Sequence, residues 1–597
     1  MTFVRSLREF LSRNAPGLLS WPRLAAALVI VVAASIYWGP ELRVIFKPTG
    51  DLVRQVREHF NNGASEAPIP PEVTGFFGCT DGWCLMPGGA GTLTYRLTAQ
   101  EDGVPAIVLW DYLPAGGTNR LSASAEGKSP QVISLNTAHN GRWLDLGMRL
   151  SRGQTLVLVF EATNPTPNQA LVIDQLLVEY RTAPVQQMPR GYTVFWIVLS
   201  YGLAGVVLCR RWVLALSTVL ILALATQLRY DRAVNLLFEF LEPDAFMYRK
   251  WAGTMRLFTE TRFFSARFGV REPGFIFAIH AFSSVFGSSD FALRLLCVVL
   301  SPFYVWGTIR VGRKLWGDIA GQIAGLLIAV NVPLVMEAGR GLRLELELVL
   351  CLAFFYLAFA REWSRQWWWE TIAFAAIGAG LVVTRSTYVP VVLVLGTYAV
   401  FRRAGWKAAA GSALITAAIL AAVVVPHRYN LYRITNDPYY DTNSYARYNA
   451  NYEFAGRPGW KTVAELAADG YAGPRMTYSE YMFGLHTRWE LIEGTARGYW
   501  KLYRYMEIAP WGLQNPKAIA VLNGLFQALA AAGMLVALWK REYLWIPFSF
   551  VVFEFPVSFL YDRNLVELYR HSYTSFPLVL FAAILFVHSV VRYARTR

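Results

Sequence analysis

The sequence predicts a polytopic α-helical membrane protein of about twelve spans that carries an N-terminal extracytoplasmic β-sandwich, jelly-roll-like in topology. Three observations carry this. Of 597 residues, 55% are apolar and only 16% charged, against roughly 25% charged in soluble domains. From residue 192 onward, apolar runs of bilayer length alternate with short loops, and Lys and Arg gather at every second loop. Residues 70–183 instead alternate or run apolar over strand lengths between turn sequences. A cytosolic enzyme and a disordered chain are excluded. The 56 basic residues exceed the 41 acidic ones by 15. That excess belongs to membrane topology, not to nucleic-acid binding.

Taken in order, residues 1–39 are a basic leader with Arg5, Arg8 and Arg13, followed by the run PRLAAALVIVVAASIYW. The long basic leader favours an uncleaved anchor over a signal peptide. Residues 40–69 read as a linker in which DLVRQVREHF has the pattern of a short amphipathic helix. Residues 70–185 form the β-domain, from TLTYRL and PAIVLWDYL to TLVLVFEA and ALVIDQLLVEY, with QEDG, PAGG and HNG as turns. Trp83, Trp110 and Tyr112 are either sugar platforms or core residues there. Cys79 and Cys84, in CTDGWC, pair locally if the domain lies outside the cytoplasm. Residues 190–425 are the transmembrane core with an outer loop at 230–289, residues 426–517 an extracytoplasmic loop domain, and residues 518–597 the last helices. The apolar run PGFIFAIHAFSSVF (273–286) is short. Counting it as a span would put every later basic cluster outside, so it reads as a juxtamembrane helix.

On this topology one face of the membrane collects charges beside apolar sequence. They are Asp244 with Tyr248, Arg271 with Glu272, the run Arg340, Arg343, Glu345 and Glu347, then Arg385, Arg428, Arg570 and His571. Charges at membrane depth are costly and either pair or serve a pathway. Arginines and carboxylates at a lipid–water boundary point to chemistry on a phosphate-bearing lipid. Each also has a plain structural reading: an ion-pair network for the 340–347 run, a helix cap for Asp244, an interface anchor for Tyr248.

Residues 241–350 resemble the GT-C superfamily of polyprenyl-phosphate-sugar glycosyltransferases, and are most similar there to protein O-mannosyltransferases and lipid A aminoarabinose transferases. The matching features follow in order: Asp244 and Tyr248 in LEPDAFMYRKW, then REPGF, VFGSSDFALRLL, KLWG, GRGLRLE, and PHRYN at 426–430. The resemblance implies Asp244 as the general base of an inverting transfer; a second catalytic acid is either absent or supplied by Glu272 or Glu242. It implies Arg271, Arg340, Arg343, Tyr248, Arg385 and Arg570 as phosphate and donor ligands. The family carries adjacent acids where this chain has Pro243–Asp244–Ala245. A divalent metal ion therefore stays open as a cofactor.

The implied function is transfer of a sugar from a polyprenyl-phosphate donor to a glycan, lipid or protein acceptor outside a bacterial inner membrane. The β-domain (Trp83, Trp110) and the loop 426–517 (Tyr439, Tyr440) are expected to help choose the acceptor. A non-catalytic glycan-assembly factor and a lipid-linked sugar flippase are the alternatives.

Overall fold

The computed structural model describes residues 21–46, 57–61, 64–65, 72–79, 82–85, 88–99, 102–110, 118–136, 143–164, 171–173, 175–181, 189–209, 211–236, 243–259, 262–265, 272–287, 290–363, 366–460, 462, 476–565 and 573–596. It opens with helix α1 (Trp21–Phe46). A run of strands follows: β1 (Arg57–Asn61), β2 (Ala64–Ser65), β3 (Glu72–Thr74), β4 (Phe77–Cys79), β5 (Gly82–Leu85), β6 (Ala90–Thr98), β7 (Val104–Trp110), β8 (Asn119–Ala125), β9 (Gln131–Leu135), β10 (Trp143–Asp145), β11 (Thr155–Thr163), β12 (Leu171–Ile173) and β13 (Gln175–Arg181).

Two five-stranded antiparallel sheets, ordered β10-β7-β13-β1-β2 and β3-β6-β11-β8-β9, make a sandwich; β12, β5 and β4 form a smaller third sheet. Alternation sets the inner faces. Along β11, Leu156, Leu158, Phe160 and Ala162 are buried while Thr155, Glu161 and Thr163 are exposed. The inner rows meet in a core that includes Leu93, Tyr95, Leu97, Ile107, Leu121 and Leu146. The end of the segment expected as an amphipathic helix, Arg57–Phe60, is instead part of strand β1. That strand pairs with β13 from Arg57 opposite Glu179 to Asn61 opposite Gln175. A helical period in so short a segment yields to an available sheet edge.

The remainder is mostly helical: α2 (Gly191–Leu208), α3 (Trp212–Asn235), α4 (Pro243–Thr254), a hairpin of β14 (Arg256–Thr259) and β15 (Arg262–Ser265), α5 (Pro273–Phe286), α6 (Asp290–Trp316), α7 (Asp318–Val330), α8 (Val332–Ala338), α9 (Leu344–Phe355), α10 (Trp367–Thr384), α11 (Val389–Thr435), α12 (Tyr440–Phe454), α13 (Arg488–Tyr505), α14 (Pro516–Trp539), α15 (Trp545–Asp562) and α16 (Phe576–Thr596). Among the described residues nine helices are long and apolar enough to cross a membrane. The protein is an integral membrane protein. Within α11 the backbone leaves helical geometry at Gly405 (φ 77°, ψ −179°), a conformation open to glycine. The two apolar halves on either side are thereby separate helices. α5 has 14 residues, about 21 Å of helix, too short for a hydrocarbon core of about 30 Å.

Small residues let the helices close on one another. Gly494 and Gly498 of α13 lie against Phe559 and Ser558 of α15, and Gly533 of α14 lies against Ala582 of α16. The apolar run 318–336 is broken at Asn331, which is fully buried. There the backbone of Val332 donates to Ala509 O (2.8 Å) and Trp511 donates to Val330 O (2.8 Å). The end of the long loop is thus clipped into the helix break.

Basic turns gather at one end of the bundle. Arg211 and Arg313 pair with Asp318 (2.9 and 2.7 Å), and Lys314 pairs with Glu362 (2.7 Å). Arg403 donates to Arg361 O and Phe359 O (both 2.9 Å), and Arg402 donates to Glu542 O (2.8 Å). The helices carry the chain from this end to the other, where Glu272, Arg343, Arg385 and Asp441 meet.

Candidate active site

Four chain segments supply the charged frame of the site. The first is the start of α5. Glu272 caps it, Pro273 takes the first helical position, and Gly274 has no room for a side chain. A Cβ there would stand 2.7 Å from Thr384 Oγ1 and 2.8 Å from Thr384 N. That close approach seats Glu272 against the turn after α10. The second segment is the start of α9, with Arg343 at the cap and Glu345 and Glu347 in the first turn. Spacing of four residues puts Arg343 and Glu347 on one face. The third is the turn Arg385–Tyr388. The fourth is the end of α11 with the start of α12, supplying His427, Arg428 and Asp441.

Glu347 is the hub. It is buried, and its Oε1 lies 3.1 Å from Arg343 Nε. Its Oε2 accepts from Arg385 Nη1 (3.3 Å), Tyr388 Oη (3.0 Å) and Thr574 Oγ1 (3.2 Å). Arg343 Nη1 donates to Glu272 Oε2 (3.2 Å) and Thr384 O (3.3 Å). The other oxygen of Glu272 accepts from Ser386 N (3.1 Å) and Ser386 Oγ (3.0 Å). Ser386 Oγ also donates to Asp441 Oδ2 at 3.4 Å. Asp441 is ion-paired to Arg428 and lies 3.8 Å from His427 Nε2. Arg343, Arg385 and Arg428 thus face Glu272, Glu347 and Asp441, and their formal charges cancel.

Burial alone would raise the Asp441 carboxyl, but His427 and Arg428 outweigh it and hold it at about 2. Burial and the neighbouring Asp441 push Glu272 up, while Arg343 and two backbone N–H groups pull it further down, to below the ordinary glutamate value. Both are therefore fixed anions at neutral pH. The stability they contribute is complete above the ordinary carboxylate range and is lost as pH falls through the depressed folded values.

Arg343 engages the carboxylates through Nη1 and Nε, and its Nη2 makes no hydrogen bond to the described residues. The same guanidinium interacts electrostatically with the hydroxyls of Tyr248 and Tyr445. Tyr248 packs on Trp251 and Phe275, with ring centroids at 6.0 and 5.6 Å. Asp244, half-buried, stands one helical turn before Tyr248 on α4. The arrangement combines an acid at a helix start, a guanidinium with open donors and a rigid, charge-balanced frame.

Of the residues singled out in the sequence, Tyr248, Glu272, Arg343 and Arg385 come together. Arg340 does not join them. It pairs with Glu337 at 2.5 Å, in a second buried group with Glu345. In that group Arg229, fully buried, donates to Tyr304 Oη (2.8 Å) and to the last carbonyls of α7. Tyr439 is exposed beneath the Arg428 guanidinium, 5.0 Å from its ring centre, and Tyr440 begins α12. Arg271 and Arg570 lie outside the described residues, as do the side chains of Cys79, Trp83, Cys84 and Trp110. The backbone pairs Cys84 with Phe77 and Cys79 with Gly82 across a hairpin. Among the described residues no three His, Cys, Asp or Glu side chains gather as a metal set would. Glu272 and Asp441 are both claimed by arginines.

Sequence reasoning did not place Ser386, Tyr388, Asp441, Tyr445 or Thr574 in the site. Only Asp441 gave a signal, as one of two acids in the aromatic run NDPYYDTNSY.

Residues 271–429 match the family model described as dolichyl-phosphate-mannose-protein mannosyltransferase. Over those residues the membrane core resembles glycosyltransferases of the GT-C type. The matched segment runs from the start of α5 into the C-terminal half of α11 and holds Glu272, Arg343, Glu347, Arg385 and Arg428. No curated protein matches the sequence. Among solved structures the chain is similar to the archaeal oligosaccharyltransferase AglB from Archaeoglobus fulgidus, in complex with an inhibitory peptide and a dolichol-phosphate. Identity is 14% and the TM-score 0.38, over 65% of this chain and 52% of that one. The chain thus spans about half the length of that structure.

Proposed function

We propose that the protein transfers a sugar from a polyprenyl-phosphate donor to an acceptor on the extracytoplasmic face of the membrane, with inversion at the anomeric carbon. The observation that carries this is the open Nη2 of Arg343, whose guanidinium interacts electrostatically with Tyr248, one helical turn after Asp244. A lipid phosphate leaving group needs a cation whose donors are not exhausted, and a guanidinium offers them in a planar fork. Asp244 takes the proton of the acceptor hydroxyl as that oxygen bonds to the anomeric carbon. The C–O bond to the lipid phosphate breaks, and the phosphate departs with the electron pair. Arg385 and Arg428 hold the carboxylates that orient Arg343 and act as positioning residues. Arg271 and Arg570 are further candidates to meet the phosphate. Glu272 is an ionised partner of Arg343, so its role in this reading is to fix that guanidinium.

The extracytoplasmic assignment follows from the positive-inside rule: the end with Arg211, Lys314, Arg402 and Arg403 is cytoplasmic, and the site lies at the other. The tyrosine- and asparagine-rich α12, which supplies Asp441 and Tyr445, is placed to help select the acceptor.

Mass spectrometry of envelope glycans, lipids and glycoproteins tests the reading. In a deletion strain, one sugar is expected to vanish from one acceptor class and to return with the wild-type gene. An unchanged envelope in the deletion strain counts against transfer.

A further inference from the structure

The β3-β6-β11-β8 face of the sandwich carries a groove of about 460 Å³ that the transfer reaction does not use. A single cross-strand row crosses it. Thr74 stands opposite Thr92, Thr92 opposite Glu161, and Glu161 opposite Arg120. The neighbouring residues Leu93, Phe160 and Leu121 point the other way, into the core. The row is therefore an outward row by the two-residue period of a strand.

The groove has a made shape. At one rim Thr118 and Thr163 are locked together: Thr118 N donates to Thr163 Oγ1 (3.0 Å) and the two hydroxyls lie 3.1 Å apart. Gly91 on the floor lets β3 lie close to β6, because a Cβ there would come within 2.7 Å of Phe76 and of Thr74 O. Arg120 and Glu161 are register neighbours and both exposed, yet no ion pair joins them among the described residues. Their hydrogen-bonding groups remain open to the groove.

We propose that this groove binds a short neutral oligosaccharide. A guanidinium presents two parallel N–H donors and a carboxylate two acceptor oxygens. Each matches a vicinal diol, one donating to the pair of oxygens, the other accepting from the pair of hydroxyls. Threonine hydroxyls supply contacts of either polarity around them. Together Arg120 and Glu161 carry no net charge, so the groove favours neither an anionic nor a cationic ligand and suits a polyhydroxyl compound without net charge. The volume lies within the range of ligand sites. No aromatic side chain lines the groove, so stacking does not contribute, and the affinity expected is about millimolar. The groove lies on a sheet face, not an edge, so strand addition by a peptide is not its mode.

The test uses the full-length protein in nanodiscs free of glycoside detergent. Saturation-transfer NMR would follow a panel of neutral di- to tetrasaccharides of gluco, manno and galacto configuration, with a uronic-acid disaccharide alongside. At least one neutral saccharide is expected to bind. Arg120→Ala and Glu161→Gln are each expected to weaken it more than tenfold with an unchanged melting temperature, while Lys128→Ala and Asp244→Asn leave it as it was. The inference is overturned if no neutral saccharide binds, if the uronic acid binds as well as the neutral sugars, or if both groove variants bind like wild type. Binding lost in Asp244→Asn instead would place the saccharide in the membrane core and equally overturn it. Because Asp244→Asn removes transfer but not groove binding, failure here and failure of the transfer reading are separate results.

Discussion

Asp244→Asn is expected to lower sugar transfer by about 10²–10⁴-fold, the range spanned by general-base catalysis, with the melting temperature and the Km for donor little changed. Asparagine keeps the size and hydrogen-bonding reach of aspartate at the start of α4 but cannot accept a proton. An effect confined to the rate constant is the signature of a group that acts in the transition state. A lowered melting temperature would instead assign the Asp244 charge a role in stabilising α4, because an acid in the first helical turn contributes about 0.3–1 kcal/mol through the helix dipole. Rates and thermal unfolding measured on the same purified samples separate the two.

Glu347→Gln carries the largest expected effect on stability. The wild-type carboxylate meets Arg343, Arg385, Tyr388 and Thr574 while buried. Removing its charge leaves Arg385 and part of Arg343 without their buried counter-ion. Breaking a buried pair by removing one partner costs roughly 3–5 kcal/mol. The variant is expected to unfold well below wild type in a thermal shift assay and to lose transfer with it. Adding Arg385→Gln removes the stranded cation, so the double variant is expected to recover part of the lost stability. Equal melting of wild type and Glu347→Gln would show that the network is not a frame for the site.

Both variants bear on how far the sequence could be read. The helices that cross the membrane were legible because lipid demands long apolar runs, and the basic turns that gather at one end were legible as Lys and Arg clusters. The sandwich was legible as alternation, since one face of each strand is buried. Arg57–Asn61 was not, because what makes it a strand is β13, more than a hundred residues away in the chain. The break at Asn331 was hidden for the same reason: its partners are Glu507 and Ala509. At the site, Glu272, Arg343 and Arg385 stood out as charges beside apolar sequence. Nothing local marks Ser386 or Thr574, whose roles arise from hydrogen bonds to distant carboxylates. Arg340 shares a motif with Arg343 yet belongs to another buried group, because the turn between α8 and α9, with Gly341 at φ 74°, aims the two side chains at different neighbours.

The most direct measurement gives the purified protein, reconstituted in liposomes, isotope-labelled polyprenyl-phosphate sugars together with an envelope extract as acceptor. Mass spectrometry then follows free polyprenyl phosphate. Wild type is expected to release it only when acceptor is present, and Asp244→Asn to release almost none. Donor that crosses the bilayer intact, equally in wild type and Asp244→Asn and without release of polyprenyl phosphate, would contradict transfer and identify a flippase built on the same core.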